Sequence, residues 1–345
     1  MSAVPVTEIR RCTRCVLPST FPGVSFDADG LCSMCQEAPP APEFDKIRGN
    51  LRRKLEEVFA AHRGKAEYDV IVAFSGGKDS SYTLMTLART YGLKCLAVTI
   101  DNGFIAEQAQ KNLRVVTASL GIDFLLFTPA PVFMNDLYKT SATTAVHTKA
   151  ALTRASSMCN SCINLINNHM VKLALEKSVP IIAGGYIGGQ VPKDSVLMVM
   201  DLDVQARFRS EAIKRYVKHF GPDAASYFGI SDALVARSPL RKINIVNPML
   251  AFGVTEDRII EEIATLGWRK TSDTGSNSTN CLLNDLGIAV HYKQHGYNPY
   301  VNEIAEQVRT GLMSRAEALE KVQDIPDFAR VERQARKIGL DWNEV

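Results

Sequence analysis

The spacing of apolar positions changes twice along the chain. Residues 43–63 put Ile47, Leu51, Leu55, Val58 and Phe59 at helical intervals with basic residues between them, which predicts an amphipathic helix. From about residue 68, short apolar runs alternate with helical stretches. Runs 69–74, 94–100, 123–127 and 180–183 read as strands, the first of them fully buried. Stretches 80–91 and 106–120 read as helices closed by Gly92 and Gly121, and 164–176 as another. This alternation predicts an α/β fold, a doubly wound parallel sheet with helices on both faces. Ligands then bind at the carboxyl ends of the strands, where Ser75, Asp101 and Gly184 fall.

Beyond residue 200 the pattern is mainly helical and irregular. Thr255 is placed to cap a helix over 255–266, with Glu256 and Asp257 in its first turn, and Ser314 caps 315–322. Residues 1–40 have no helical period, and Ala38-Pro39-Pro40-Ala41-Pro42 reads as an extended linker.

Composition narrows the class without choosing a function. The 345 residues are 46% hydrophobic and 22% charged, as in an ordinary globular protein, and length allows one large domain or two. A net charge of +3 is too small to argue for nucleic acid or membrane. There is no apolar window of about 18 residues for a membrane span, and residues 1–8 lack the apolar core of a signal peptide. The expected location is the cytoplasm.

The chemistry is densest at Ser75-Gly76-Gly77-Lys78-Asp79-Ser80-Ser81, between a strand and a helix start. Two glycines let backbone approach a phosphate closely. Successive N–H groups at the helix start face an anion. The hydroxyls of Ser75, Ser80 and Ser81 and the Lys78 ammonium add donors, and Asp79 is placed to help hold Mg²⁺ beside substrate phosphates. The spacing is not that of a Walker A loop.

Ser75-Gly76-Gly77-Lys78-Asp79-Ser80 resembles the SGGxDS loop of the PP-loop ATP pyrophosphatases. The resemblance implies the adenine nucleotide alpha hydrolase-like fold. It also implies that ATP is cleaved between its α- and β-phosphates, that AMP is transferred to a substrate oxygen, and that a nitrogen or sulfur nucleophile then displaces it. It places the adenosine beside 99–101, next to the turn Asp101-Asn102-Gly103-Phe104, whose Asn-Gly also suits a plain β-turn. Gly184-Gly185-Tyr186-Ile187-Gly188-Gly189-Gln190 would bring more backbone to the same pocket. Lys149, Arg154, Lys193 and Arg207 are candidates for pyrophosphate contacts. His147 and His169 are as well explained by packing as by proton transfer.

The eight cysteines are clustered, which in a reducing compartment argues for metal over disulfides. Cys12-x2-Cys15 and Cys32-x2-Cys35, separated by sixteen residues, have the spacing of a closed, structural zinc site. With so little core, metal would supply that segment's folding energy. Cys159 and Cys162 lie just before a predicted helix, and Cys281 is distant in sequence. Three thiolates suit a 4Fe–4S cluster with one iron free of protein ligands, because full ligation takes four. A second zinc site and cysteines that pass a persulfide stay open as alternatives. Cys95, in an apolar strand, reads as core.

Two branches of the superfamily compete. The three-cysteine set resembles iron–sulfur-dependent thiolation enzymes, as in tRNA 2-thiolation. Cys12-Thr13-Arg14-Cys15-Val16-Leu17-Pro18, Pro22–Asp27, Gly30-x-Cys32-x2-Cys35, Asn280-Cys281-x2-Asn284-Asp285-Leu286 and the stretch from Arg309 to Ala318 are similar to N-acetyl sugar amidotransferases of surface-polysaccharide synthesis. Those enzymes use ammonia from a separate glutaminase subunit, and this chain shows no glutaminase of its own. Sulfur transfer is favoured because ammonia transfer has no evident need of three cysteines.

The partners expected are a small-molecule or tRNA acceptor, with a sulfur donor or a glutaminase subunit; a homodimer is left open. Little basic excess and no RNA-binding module argue against tRNA, although Arg48, Arg52, Arg53 and Lys54 form a local patch. The expected division is a zinc-ribbon segment at 1–40, linker and helix at 41–66, the nucleotide-binding core at 67–200, and a mainly helical region at 201–345 that contributes Cys281.

Overall fold

The computed structural model describes residues 9–192, 194–323 and 326–345. The expected α/β sheet is present and has six strands: β1 Val70–Ala73, β2 Cys95–Ile100, β3 Asp123–Phe127, β4 Ile181–Ala183, β5 Leu197–Asp201 and β6 Lys242–Val246. Their spatial order is β3-β2-β1-β4-β6-β5. All neighbours run parallel except the edge pair β5 and β6. From β1 the chain first builds outward through β2 and β3, then crosses to the other side of β1 with β4. The carboxyl ends of β1 and β4 therefore flank the switch point, where this kind of sheet opens a crevice.

Both faces of the central strands are dry, which is why they read as continuous apolar runs. Val70 and Val72 face a core with Leu55, Phe59, Leu113 and Ile263, and Ile71 faces one with Leu137, Leu165 and Val171. Helices pack on both sides, so the sheet is doubly wound.

Several elements differ from the sequence reading for identifiable reasons. The helix placed at 164–176 spans Ser157–Lys177, because the Ser156 hydroxyl caps it by accepting the Cys159 N–H at 3.2 Å. Cys159 and Cys162 thus sit on its first turns and not ahead of it. The stretch at 80–91 divides into Lys78–Met85 and a wider π turn at Thr86–Thr90. Pro40 and Pro42 begin the helix Ala41–His62 instead of continuing a linker, since proline is tolerated in a first helical turn. Beyond residue 200, β6 adds a strand next to β4. Its Asn244 is buried and donates to the Pro180 carbonyl, and such a polar residue hides a five-residue strand from an apolar-pattern reading.

The N-terminal segment docks far away in sequence. Val16, Leu17 and Phe21 share a core with Tyr297, Val301, Ile304, Ala318 and Val322 of the C-terminal helices. Among the described residues, no helix is long and apolar enough to cross a membrane.

Candidate functional site

The turn after β1 is fixed from behind. Gly76 has φ +73°, and a Cβ there would meet the Ala109 carbonyl oxygen at 2.5 Å, so only glycine fits. Its own carbonyl accepts the Trp268 indole N–H at 2.9 Å. Gly77 caps the helix Lys78–Met85, and the Lys78 N–H donates to Thr279 Oγ1 at 3.0 Å. The Ser80 hydroxyl accepts the Ser75 N–H at 3.2 Å and lies 3.1 Å from Ser75 Oγ. Ser81 turns inward, donating to the Gly77 carbonyl at 2.7 Å. A Cβ on Gly185 would come within 2.9 Å of the Ser80 backbone, so the loop after β4 presses onto this turn.

Lys78 lies in an acidic surround. Its ammonium contacts both Asp79 oxygens at 2.8–2.9 Å and Glu256 at 3.7 Å. Burial alone would lower its pKa, but Asp79 and Glu256 reverse the shift and hold it charged. Glu303 completes the group. Burial raises its carboxyl to about 7 despite the opposing pull of Lys78, and it accepts a hydrogen bond from Gln190 at 2.7 Å.

This turn and the three separate cysteines open onto one cavity of about 840 Å³. Cys281 reaches it because its segment bridges to Ile105, with Ala106 N–H donating to Asn280 O and Leu282 N–H to Phe104 O. Asn102 then stands between two thiols. Its Nδ2 is 3.7 Å from Cys162 Sγ and 3.9 Å from Cys281 Sγ. Tyr138, only 1% exposed, donates to Cys162 Sγ at 3.2 Å. Burial is the leading cause that pushes these thiols up, Cys159 to about 11 and Cys281 to about 12, with Cys162 shifted the same way. Metal binding would have to displace their protons.

The N-terminal cysteines make a tighter set. All four ligand sulfurs of Cys12, Cys15, Cys32 and Cys35 lie within 4.8 Å of one another, and Cys15 Sγ is 3.8 Å from Cys32 Sγ. Tetrahedral zinc with Zn–S bonds of about 2.3 Å sets sulfurs about 3.8 Å apart, so the donor set fits. The Cys32 N–H points at Cys12 Sγ at 3.3 Å and the Arg309 guanidinium at Cys15 Sγ at 3.6 Å. The Cys15 thiol is driven down to about 5, first by its hydrogen bond with Cys35. Among the described residues, Cys159, Cys162 and Cys281 do not meet that single-ion spacing.

The remaining sequence candidates scatter. Gly184 lines the cavity, whereas Asp101 does not; its carboxylate accepts the Gly103 N–H at 2.9 Å, and Thr99 and Ile100 line the wall instead. Arg154 lines the cavity and, with Lys149, a neighbouring hollow of about 530 Å³. Arg207 lines neither, and Lys193 and residues 1–8 are outside the described residues. His147 faces Ser161 at 2.8 Å, lowered to about 4 chiefly by burial, and His169 packs on Phe127; neither reaches the cavity. Cys95 is buried in the core. Thr279, Trp268, Tyr138, Glu256 and Glu303 could not be singled out as site residues from sequence, because each reaches the site through tertiary contacts alone.

Sheet order, switch point and glycine turn agree with the loop motif. The fold is the doubly wound, mostly parallel α/β sheet that this motif implies. No family model matches the chain. An uncharacterised protein of Methanocaldococcus jannaschii is 22% identical over 333 residues, which is 96% of this chain and 99% of that protein. Among solved structures, the chain is similar to the tRNA thiolase NcsA from Methanococcus maripaludis with its 4Fe–4S cluster, at 12% identity and a TM-score of 0.36 over 96% of this chain and 88% of that one. It is also similar to NMN synthetase from Francisella tularensis, at 14% identity and a TM-score of 0.38 over 86% and 97% of the two chains. For the NH3-dependent NAD synthetase from Campylobacter jejuni the values are 11% and 0.36 over 82% and 98%.

Proposed function

We propose that the protein is an ATP-dependent enzyme that adenylates a carbonyl or amide oxygen of its acceptor and replaces that oxygen with sulfur. The observation carrying this reading is that the PP-loop and the thiols of Cys159, Cys162 and Cys281 line one cavity. In the first step the acceptor oxygen attacks the α-phosphorus, the bond to the bridging oxygen breaks, and pyrophosphate leaves. In the second, a sulfide sulfur bonds to the activated carbon, its proton is lost, and AMP departs with the original oxygen.

The chain's own groups have distinct parts in this. The Ser75 and Ser80 hydroxyls would hold the departing pyrophosphate, joined by the backbone N–H groups of Gly77 and Lys78 once these leave Ser75 Oγ and Thr279 Oγ1. Lys78 would leave its carboxylate partners for the phosphates, and Asp79 would then be free to take Mg²⁺. The open spacing of the three thiols suits a polynuclear cluster better than one ion. A 4Fe–4S cluster there would offer the incoming sulfur an iron without a protein ligand. Cys12, Cys15, Cys32 and Cys35 would hold a structural zinc.

Metal analysis of anaerobically prepared protein tests the reading. About four irons and one zinc per chain are expected. Cys281→Ala should lose the iron and keep both the zinc and ATP binding. A colourless, iron-free protein whose Cys281→Ala form retains full activity would overturn sulfur transfer and favour ammonia as the nucleophile.

A further inference from the structure

The cavity has two unlike ends. One carries Lys78 and Asp79 on the PP-loop turn. The other is walled by Met200 and Ile245 from the sheet and by Phe208, Ile213 and Tyr216 from the helix Leu202–Phe220. The cation at this far end, Arg209, is already committed, 2.9 Å from Asp232 and hydrogen-bonded to the Leu202 carbonyl. Phe208 is 62% exposed at the rim. Asn164 lies on the helix that bears Cys159 and Cys162. It lines the cavity, and its carboxamide has no hydrogen-bond partner among the described residues.

We propose that the far end is the acceptor chamber, and that it takes a small, flat, uncharged molecule carrying a ring carbonyl or amide, whose oxygen Asn164 holds. This rests on the ATP-activating reading of the loop but not on sulfur as the nucleophile. Three physical points select the class. Methionine and aromatic walls favour the faces of planar rings. A phosphate-rich acceptor would need uncommitted cations, and Arg209, the cation that the helix Leu202–Phe220 brings to the cavity among the described residues, is paired with Asp232, while Arg154 lies on a different segment. A cavity of about 840 Å³ is near the upper end of the roughly 300–1,000 Å³ usual for small-molecule sites, so an acceptor fits beside a nucleotide. The unpartnered amide is suited to orient an oxygen, and Asn164 shares both its helix and its cavity with Cys159 and Cys162.

The test uses 2-pyridone, a flat ring lactam, as the probe, in saturation-transfer NMR on the full-length protein with α,β-methylene-ATP bound. N-acetylglucosamine and bulk tRNA are run in parallel. The chamber requires 2-pyridone binding that Phe208→Asp and Met200→Arg each weaken by about tenfold or more, with nucleotide affinity held within about twofold. Phe208 is exposed, so its variant tests the chamber even if Met200→Arg fails to fold. Asn164→Ala should weaken the probe while sparing the nucleotide. Binding of N-acetylglucosamine or tRNA without 2-pyridone, or 2-pyridone binding that no variant moves, overturns the chamber. Failure of the wild-type protein to bind the nucleotide overturns the ATP reading instead.

Discussion

Gly76 shows how a single residue fixes the site. Its positive φ costs a side chain about 1–2 kcal/mol, and the Ala109 carbonyl leaves no room for a Cβ. Gly103 also has a positive φ, but open space surrounds the place a Cβ would take there. Gly76→Ala should therefore lower the melting temperature more than Gly103→Ala and abolish nucleotide binding; equal shifts would show that the contact with Ala109 does not matter. The glycine turn was legible in sequence because strand, turn and helix are contiguous. Asn102 was not legible as a thiol partner. Its turn chemistry is visible, but the two sulfurs it faces come from residues 162 and 281.

At the scale of elements, the helix Val301–Arg309 ties two sites together. Near its start Glu303 accepts from Gln190, which lies on the loop after β4. Near its end Arg309 pairs with Glu306 at 2.7 Å and points at Cys15 Sγ. Removing one member of a buried pair costs about 3–5 kcal/mol. Arg309→Met should lower stability to urea by about that amount and release zinc at lower chelator concentration; an unchanged chelation curve would mean the helix does not support the cysteines. The helix's apolar spacing is local, but what makes it join the two sites is not, since its partners Gln190 and Cys15 are far from it in sequence. β6 was missed for a related reason: short, with a buried asparagine, it is recognisable only once β4 and β5 lie on either side.

At the scale of the whole molecule, the doubly wound sheet could be foreseen because both faces of its central strands are apolar. What could not be foreseen is which distant segments close the cavity. The stretch around Thr279 and Cys281 comes to the PP-loop by pairing with residues 104–106, and a pattern along the chain does not encode that pairing. The central claim is that ATP activation and sulfur delivery share this one cavity. Mössbauer spectroscopy of anaerobically prepared protein, with and without hydrosulfide, tests it most directly. The account predicts a cluster in which one iron differs from the rest and shifts on adding hydrosulfide, and loss of that cluster in Cys281→Ala without loss of ATP binding. Iron-free protein, or a cluster whose spectrum hydrosulfide leaves unchanged, would contradict it.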